Sequence, residues 1–190
     1  MTKPEELKSG CDAGQNILHD LDRIKSLIEK LSKEDGMVRE SARRSLVDIG
    51  GPAAAFLVEA LPASAKELRW EIMMTLADIG DPMTAGTLVK ALEDKVFDIR
   101  WLAAEGLIKV GREGITPLLQ ALIERSDSPW LRQGAHHVLH DTADPELKQL
   151  LKPVMEALEH AEAAVETPGK AKAALEAFNE SEISYGAAPT

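Results

Sequence analysis

The sequence is poor in the residues on which several classes of protein depend. It has one cysteine, Cys11, so no internal disulfide can form and a disulfide-stabilised domain is excluded. Aromatic residues make up 4% of the chain, which does not suit a β-sandwich rich in Val, Tyr and Thr. No apolar run approaches the roughly 18 residues that a membrane-spanning helix needs, so no membrane association is expected.

Basic residues are scarce relative to acidic ones. The 190 residues include 22 Lys and Arg against 32 Asp and Glu, which gives a formal net charge of −10. This charge repels phosphate backbones, so we expect no nucleic-acid partner. The stretch Met1–Gly10 is polar and charged, unlike a secretory signal peptide, and predicts a cytoplasmic protein. The abundance of Ala, Leu, Glu and Lys favours an all-α fold.

An aliphatic-Arg pair recurs along the chain at nearly constant spacing. The steps between successive pairs are 30, 31 and 32 residues, and a fixed period of this length is the signature of a repeat architecture. The pairs are Val38-Arg39, Leu68-Arg69, Ile99-Arg100 and Leu131-Arg132.

Each pair begins a pattern that predicts two helices. Apolar or small residues at offsets 0, 4, 8 and 11 from the aliphatic residue form one helical stripe. Gly50, Gly80 and Gly111 follow the stripe in three units, and we expect them to end the first helix in a left-handed conformation. Proline then suits the first turn of a second, leucine-rich helix. Asp81 and Asp144 precede such prolines and are expected to cap that helix.

A single helical hairpin cannot bury both of its apolar faces, so neighbouring units are expected to stack. The pattern resembles the HEAT repeat family, and it is similar to the short HEAT-like units of bilin lyases, over residues 36 to about 158. The resemblance implies an all-α, right-handed α-solenoid of about four helical hairpins. It also implies a ladder of Arg and Asp side chains across repeats, which we interpret as structural. The matching arginines are Arg39, Arg69, Arg100 and Arg132, with Asp35, Asp98 and Asp127 as approximate acidic counterparts and only Glu67 in the second unit.

The sequence predicts three segments: residues 1–35 with a capping helix, a repeat array over 36–160 with units starting near 36, 66, 97 and 129, and an extension over 161–190. The capping helix is indicated by a stripe that includes Ile17, Leu21 and Ile24. The Ala- and Glu-rich extension predicts a helix from about Thr167 to Asn179, followed by disorder. From residue 143 onward there are nine acidic and four basic residues, which suit either a solvated tail or a docking site for a basic partner.

The face opposite the apolar stripe carries the candidate binding residues. The residues at offsets 2, 6 and 9 should be polar, yet these offsets include Trp70, Met74, Trp101 and Ile108. Two tryptophans at the same repeat position indicate an apolar strip that binds a protein partner or a second copy of the chain. The alternative is that the C-terminal extension, or packing within the array, covers them.

Histidines form the other notable cluster, at His136, His137 and His140. The spacing of four between His136 and His140 makes them weak candidates for metal ligands. No third ligand has a predictable position, so we expect a polar helix face with no metal and no cofactor. Cys11 has no paired base and no phosphate-binding loop is present, so no catalytic residue is predicted.

The features together favour a non-enzymatic protein-protein interaction scaffold or adaptor. The alternative is a subunit of a chromophore (bilin) lyase or isomerase, or of another HEAT-like enzyme, which the resemblance suggests through fold alone.

Overall fold

The computed structural model describes the backbone of residues 9–186 and the side chains of residues 20–181. This part of the chain contains ten α-helices and no strand, which confirms the predicted all-α class. The chain divides into two compact units, Met1–Thr75 and Leu76–Thr190. Within the described residues no helix is both long and apolar enough to cross a membrane.

The N-terminal unit contains helices α1 (Ser9–Lys30), α2 (Gly36–Ile49), α3 (Gly51–Ala60) and most of α4 (Lys66–Ile79). Helix α1 packs against α2 and α3. It buries Ile24, Leu27 and Leu31, whereas Leu21 is half-buried and Ile17 lies outside the described side chains. The apolar stripe therefore places α1 as a cover on the first hairpin.

The C-terminal unit contains six further helices. They are α5 (Ala85–Ala91), α6 (Phe97–Val110), α7 (Ile115–Glu124), α8 (Pro129–Asp141), α9 (Pro145–Glu159) and α10 (Ala163–Gly186). Helix α6 packs against α5 and α8, and α8 packs against α9. Leucines at the predicted stripe positions, Leu107 and Leu139, are 1% and 2% exposed, so the stripe faces the core as expected.

Two of the predicted glycine caps end helices at a turn that other residues rarely adopt. Gly50 has φ 71° and ψ −135°, and Gly111 has φ 72° and ψ −130°. The positive φ agrees with the prediction, but the ψ values lie outside the left-handed helical region. Because this conformation is almost confined to glycine, the sharp reversal between α2 and α3 depends on Gly50.

Three of the arginines expected in the ladder bond a carbonyl in the turn before their own helix, and one of them, Arg39, also bonds Glu71 in the next unit. The Nη1 group of Arg100 donates to the Asp94 carbonyl at 2.8 Å, that of Arg39 donates to the Lys33 carbonyl at 2.8 Å, and that of Arg132 donates to the Ser126 carbonyl. Each acceptor lies six residues before its arginine, in the turn that precedes the helix. Asp98 is exposed in the first turn of α6. The arginines thus tie each entry turn to the helix that follows.

A buried carboxylate joins α2 to α4 in the N-terminal unit. Glu71 is 5% exposed, and it accepts hydrogen bonds from Arg39 Nε at 2.6 Å and Arg43 Nη1 at 2.7 Å. Two guanidinium groups thus share one carboxylate that is removed from water. Such a group is stabilising only while its partners remain in place.

The C-terminal helix is longer than the sequence predicted. It begins at Ala163 and continues to Gly186, through Pro168 and through residues 181–186 that were expected to be disordered. Pro168 has no N–H to bond the Ala164 carbonyl, and Ser126 Oγ donates to that carbonyl at 2.6 Å instead. This replacement bond satisfies the carbonyl that Pro168 leaves without its helical partner. The remaining expected disorder, over 187–190, lies outside the described residues.

Replacing Glu71 with Ala should lower the free energy of unfolding by about 3 kcal/mol, because it leaves two guanidinium groups without their shared carboxylate. Glu40→Ala is the matched control, since Glu40 pairs with Arg44 on an exposed helix face. The control should change stability by less than about 0.5 kcal/mol. Urea unfolding midpoints measure both, and equal losses in the two variants would contradict the assigned role of Glu71.

Asp144 caps α9 and gives stability a pH dependence. The backbone N–H of Leu147 and that of Glu146 hold the pKa of Asp144 below its ordinary value, assisted by Arg112 at 2.9 Å and opposed by desolvation. A lowered folded-state pKa stabilises the protein above the unfolded value of 3.8, and the gain is lost as pH falls through the folded value. Asp144→Asn should therefore be less stable than wild type at neutral pH and approach it at strongly acidic pH. A stability difference that does not change with pH, measured by urea unfolding, would contradict this.

Candidate functional site

A cleft of about 370 Å³ lies between helices α6 and α8 in the C-terminal unit. Phe97, Arg100 and Trp101 line it from α6, and Trp130 and Gln133 line it from α8. Three histidines of α8 complete its wall at His136, His137 and His140. The cleft thus brings together one of the predicted tryptophans and the histidine cluster.

The cleft exists because small residues lie on adjacent helices. Ala104 of α6 and Gly134 of α8 both line it and place no large side chain in the space between the two helices. A Cβ atom on Gly134 would lie 2.8 Å from Leu92 Cδ2, closer than real Cβ atoms approach their neighbours. Glycine at this position lets α8 pack closely on Leu92, the residue that follows α5.

The aromatic side chains of the cleft are unusually exposed for their size. Phe97 is 56% exposed, Trp101 is 49% exposed and Trp130 is 44% exposed. The whole chain has seven Phe, Trp and Tyr residues, and three of them are gathered here. A cluster of exposed aromatic side chains on a soluble surface usually marks a contact site.

Arg100 is fixed between two of these rings. Its guanidinium carbon lies 4.7 Å from the Trp130 ring centroid and 5.5 Å from the Phe97 centroid, within the range of cation–π attraction. The hydrogen bond from Nη1 to the Asp94 carbonyl also holds the guanidinium group in place. Arg100 is therefore a positioned charge rather than a mobile surface side chain.

His137 is held by contacts on several sides. Its ring stacks on Trp101 with centroids 4.5 Å apart and an interplanar angle of 26°. Its Nε2 lies 2.8 Å from Glu105 Oε1, and its Nδ1 lies 3.3 Å from Asp141 Oδ2. The stacking holds one face of the Trp101 indole and leaves the side chain half exposed.

The other two histidines also pair with carboxylates. His140 Nδ1 lies 2.6 Å from Asp141 Oδ1, and His136 Nε2 lies 3.1 Å from Glu159 Oε1. The hydrogen bond with His140 holds the pKa of Asp141 below its ordinary value, against the opposing effect of desolvation, and charge on His137 adds to the lowering. The rings of His136 and His140 stack with centroids 6.2 Å apart. Among the described residues no three His, Cys, Asp or Glu side chains converge to hold a metal ion.

The other predicted binding residues lie elsewhere. Ile108 is half-buried on α6 and does not line the cleft, and Trp70 and Met74 are half-buried on α4. Helix α10 packs against α7 and α9, and Trp101 remains 49% exposed, so α10 does not cover Trp101 as the alternative expected. Sequence reasoning missed Phe97 and Trp130, which precede the aliphatic-Arg pairs of their units by two residues and one residue. The sequence signal that could have identified these two residues is the presence of an aromatic residue at the start of each of their helices.

The comparisons with known proteins agree with the repeat architecture. Residues 54–140 match the family model of HEAT repeats. The structure of the complex of CpcE and CpcF of phycocyanin lyase from Nostoc sp. PCC7120 is similar at 23% identity and a TM-score of 0.56, covering 81% of this chain and 98% of that chain. A designed armadillo repeat protein is matched at 18% identity and a TM-score of 0.38, over 82% of this chain and 100% of that chain. No curated protein sequence is significantly similar to the chain.

The half-exposed tryptophans should contribute little to folding. Trp101→Ala and Trp130→Ala should each lower the free energy of unfolding by about 1 kcal/mol, because each indole already contacts water over much of its surface. Leu131→Ala is the control on the same helix as Trp130, since Leu131 is fully buried and its truncation should cost about 3 kcal/mol. Urea unfolding of the three variants tests this. Losses at the tryptophans as large as that of Leu131→Ala would mean that the cluster serves folding rather than binding.

Proposed function

We propose that the chain is a non-enzymatic protein-binding scaffold whose partner docks on the cleft between α6 and α8. The premise is that residues 54–140 match the family model of HEAT repeats. The observation that carries this proposal is the group of three aromatic side chains, 44–56% exposed, around a cleft on two packed helices. Helical repeats suit this role because each unit presents a rigid surface to a partner.

A partner that covers the aromatic side chains gains binding free energy from the apolar surface that it buries. Burial of apolar surface stabilises a complex by about 25 cal/mol per Å², and tryptophan is enriched among the residues that dominate binding energy. The stacking of Trp101 on His137 and of Trp130 on Arg100 restricts both indoles before any partner arrives. Less side-chain freedom is then lost on binding, which favours affinity.

The contacts of the histidines support a binding role rather than catalysis. In the described part of the chain the side-chain partners of His136, His137 and His140 are carboxylates. A nucleophile for an imidazole to activate would be a hydroxyl or a thiol, and the residues that line the cleft include no Ser, Thr, Tyr or Cys. These three side chains therefore shape and orient the wall of the cleft.

Trp70 and Met74 are proposed as a second contact for the same partner. Both are half-buried on α4, and Trp70 occupies the repeat position that carries the exposed Trp101 on α6. The Trp70→Ala variant is tested separately from the cleft variants.

A photo-crosslinking amino acid placed at Gln133 should capture one defined protein from the lysate of the native host. Gln133 is exposed and lines the cleft, so a docked partner lies within reach of it. The crosslinked species, identified by mass spectrometry, should disappear in a Trp101→Ala, Trp130→Ala double variant because the anchors are lost. Circular dichroism checks that the double variant is folded.

The matched control places the same crosslinker at Lys172, which is exposed on α10 and does not line the cleft. The same species captured from both positions, or captured equally by the double variant, would mean that the cleft is not the docking site. Loss of the crosslinked species in the Trp70→Ala variant would indicate that α4 is also part of the interface.

A chromophore lyase subunit is the second candidate function. The observation that favours it is the similarity in fold to the phycocyanin lyase structure, together with a cleft large enough for a small ligand. This candidate predicts that the purified chain perturbs the visible absorption of an added open-chain tetrapyrrole. An unchanged spectrum would leave the scaffold as the better account.

A further inference from the structure

We propose that the cleft captures the C-terminus of its partner: the terminal carboxylate bonds Arg100, and an apolar terminal side chain enters between Trp101 and Trp130. This inference rests on the proposed function, and it adds the chemistry of the segment that docks.

Arg100 differs from several other arginines of the chain in its partners. Arg39 and Arg43 share Glu71, Arg112 pairs with Asp144, and Arg125 pairs with Glu93 at 3.3 Å. In the described part of the structure the guanidinium of Arg100 bonds only the Asp94 carbonyl, through Nη1. Its remaining N–H groups are thus available in a fixed position, and a guanidinium can bind both oxygens of a carboxylate.

The lining of the cleft is free of negative charge. The ten residues that line it include one arginine and three histidines but no Asp or Glu, in a chain with 32 acidic residues. The nearby carboxylates bond the imidazoles, as Glu159 does with His136 Nε2 and Asp141 does with His140 Nδ1. Glu105, the third nearby carboxylate, bonds His137 Nε2 in the same way, so within the lining an incoming carboxylate meets the guanidinium of Arg100.

The size of the cleft favours a chain end over an internal segment. Its volume of about 370 Å³ equals that of roughly a dozen water molecules, which is room for one or two residues. An internal acidic residue would need the chain to enter and leave on both sides. A terminal residue instead carries a carboxylate and a side chain on one Cα atom, and capture of terminal carboxylates is a known mode of peptide recognition.

The test compares two probes that differ only in the carboxylate. N-acetyl-L-phenylalanine presents a terminal carboxylate, and N-acetyl-L-phenylalaninamide presents a neutral amide in its place. Both are titrated into the full chain while NMR follows the indole N–H signals of Trp101 and Trp130. The acid should bind about tenfold more tightly than the amide, because a charge-assisted hydrogen bond forms only with the acid.

Arg100→Gln should bring the two affinities within about twofold of each other, since the charge-assisted bond is lost. Arg132→Gln is the matched control, because Arg132 also bonds the carbonyl six residues before it but does not line the cleft. The control should keep the preference for the acid, and it shows whether losing the local arginine-carbonyl bond alone affects the site.

A third probe, acetyl-Gly-Gly-Phe with a free carboxylate, distinguishes a protein terminus from a small aromatic acid. It should bind at least as tightly as N-acetyl-L-phenylalanine if a chain leads into the cleft, and much weaker binding would overturn the proposal. Equal binding of acid and amide would also overturn it, as would a preference that survives in Arg100→Gln. None of these outcomes alters the crosslinking result, so the scaffold proposal is tested independently.

Discussion

Each helical hairpin of this chain has apolar side chains on both of its helices, and it can bury them only against another helix pair. That constraint requires the repeat, because one face of every unit must match the unit beside it. In the C-terminal unit it also determines which residues are small. Gly134 allows α8 to approach Leu92, and both Gly134 and Ala104 line the space between α6 and α8.

The side chains around that space do not have to pack in the hydrophobic core. Leu107, Leu131 and Leu139 of the same two helices are buried, whereas Trp101 and Trp130 are half exposed. Arg100 and His137 orient the indoles without covering them. Repeat packing therefore forms the cleft. The side chains that line it expose more aromatic surface than folding requires.

The repeat itself was readable from the sequence, because burial imposes a period that aliphatic residues must follow. Caps such as Asp144 were also predictable, since they depend on neighbours along the chain. The Glu71 ion pairs were not, because they join residues 28 and 32 positions apart whose side chains meet only in the packed helices. The cleft was recognised in part through Trp101, while Phe97 and Trp130 lie outside the offsets of the stripe. The start of helix α10 was predicted too late because proline suits a first turn, and the bond from Ser126 to the Ala164 carbonyl joins residues 38 positions apart.

The most direct test of a docking site at the cleft is hydroxyl-radical footprinting of the chain, alone and in the lysate of its native host. Mass spectrometry reads the oxidation of Trp101 and Trp130, with Met37 and Met83, which are 74% and 64% exposed, as internal references. A partner in the cleft predicts strong protection of both tryptophans in the lysate while the methionines are oxidised as before. Equal oxidation of the tryptophans in the two samples would contradict the account.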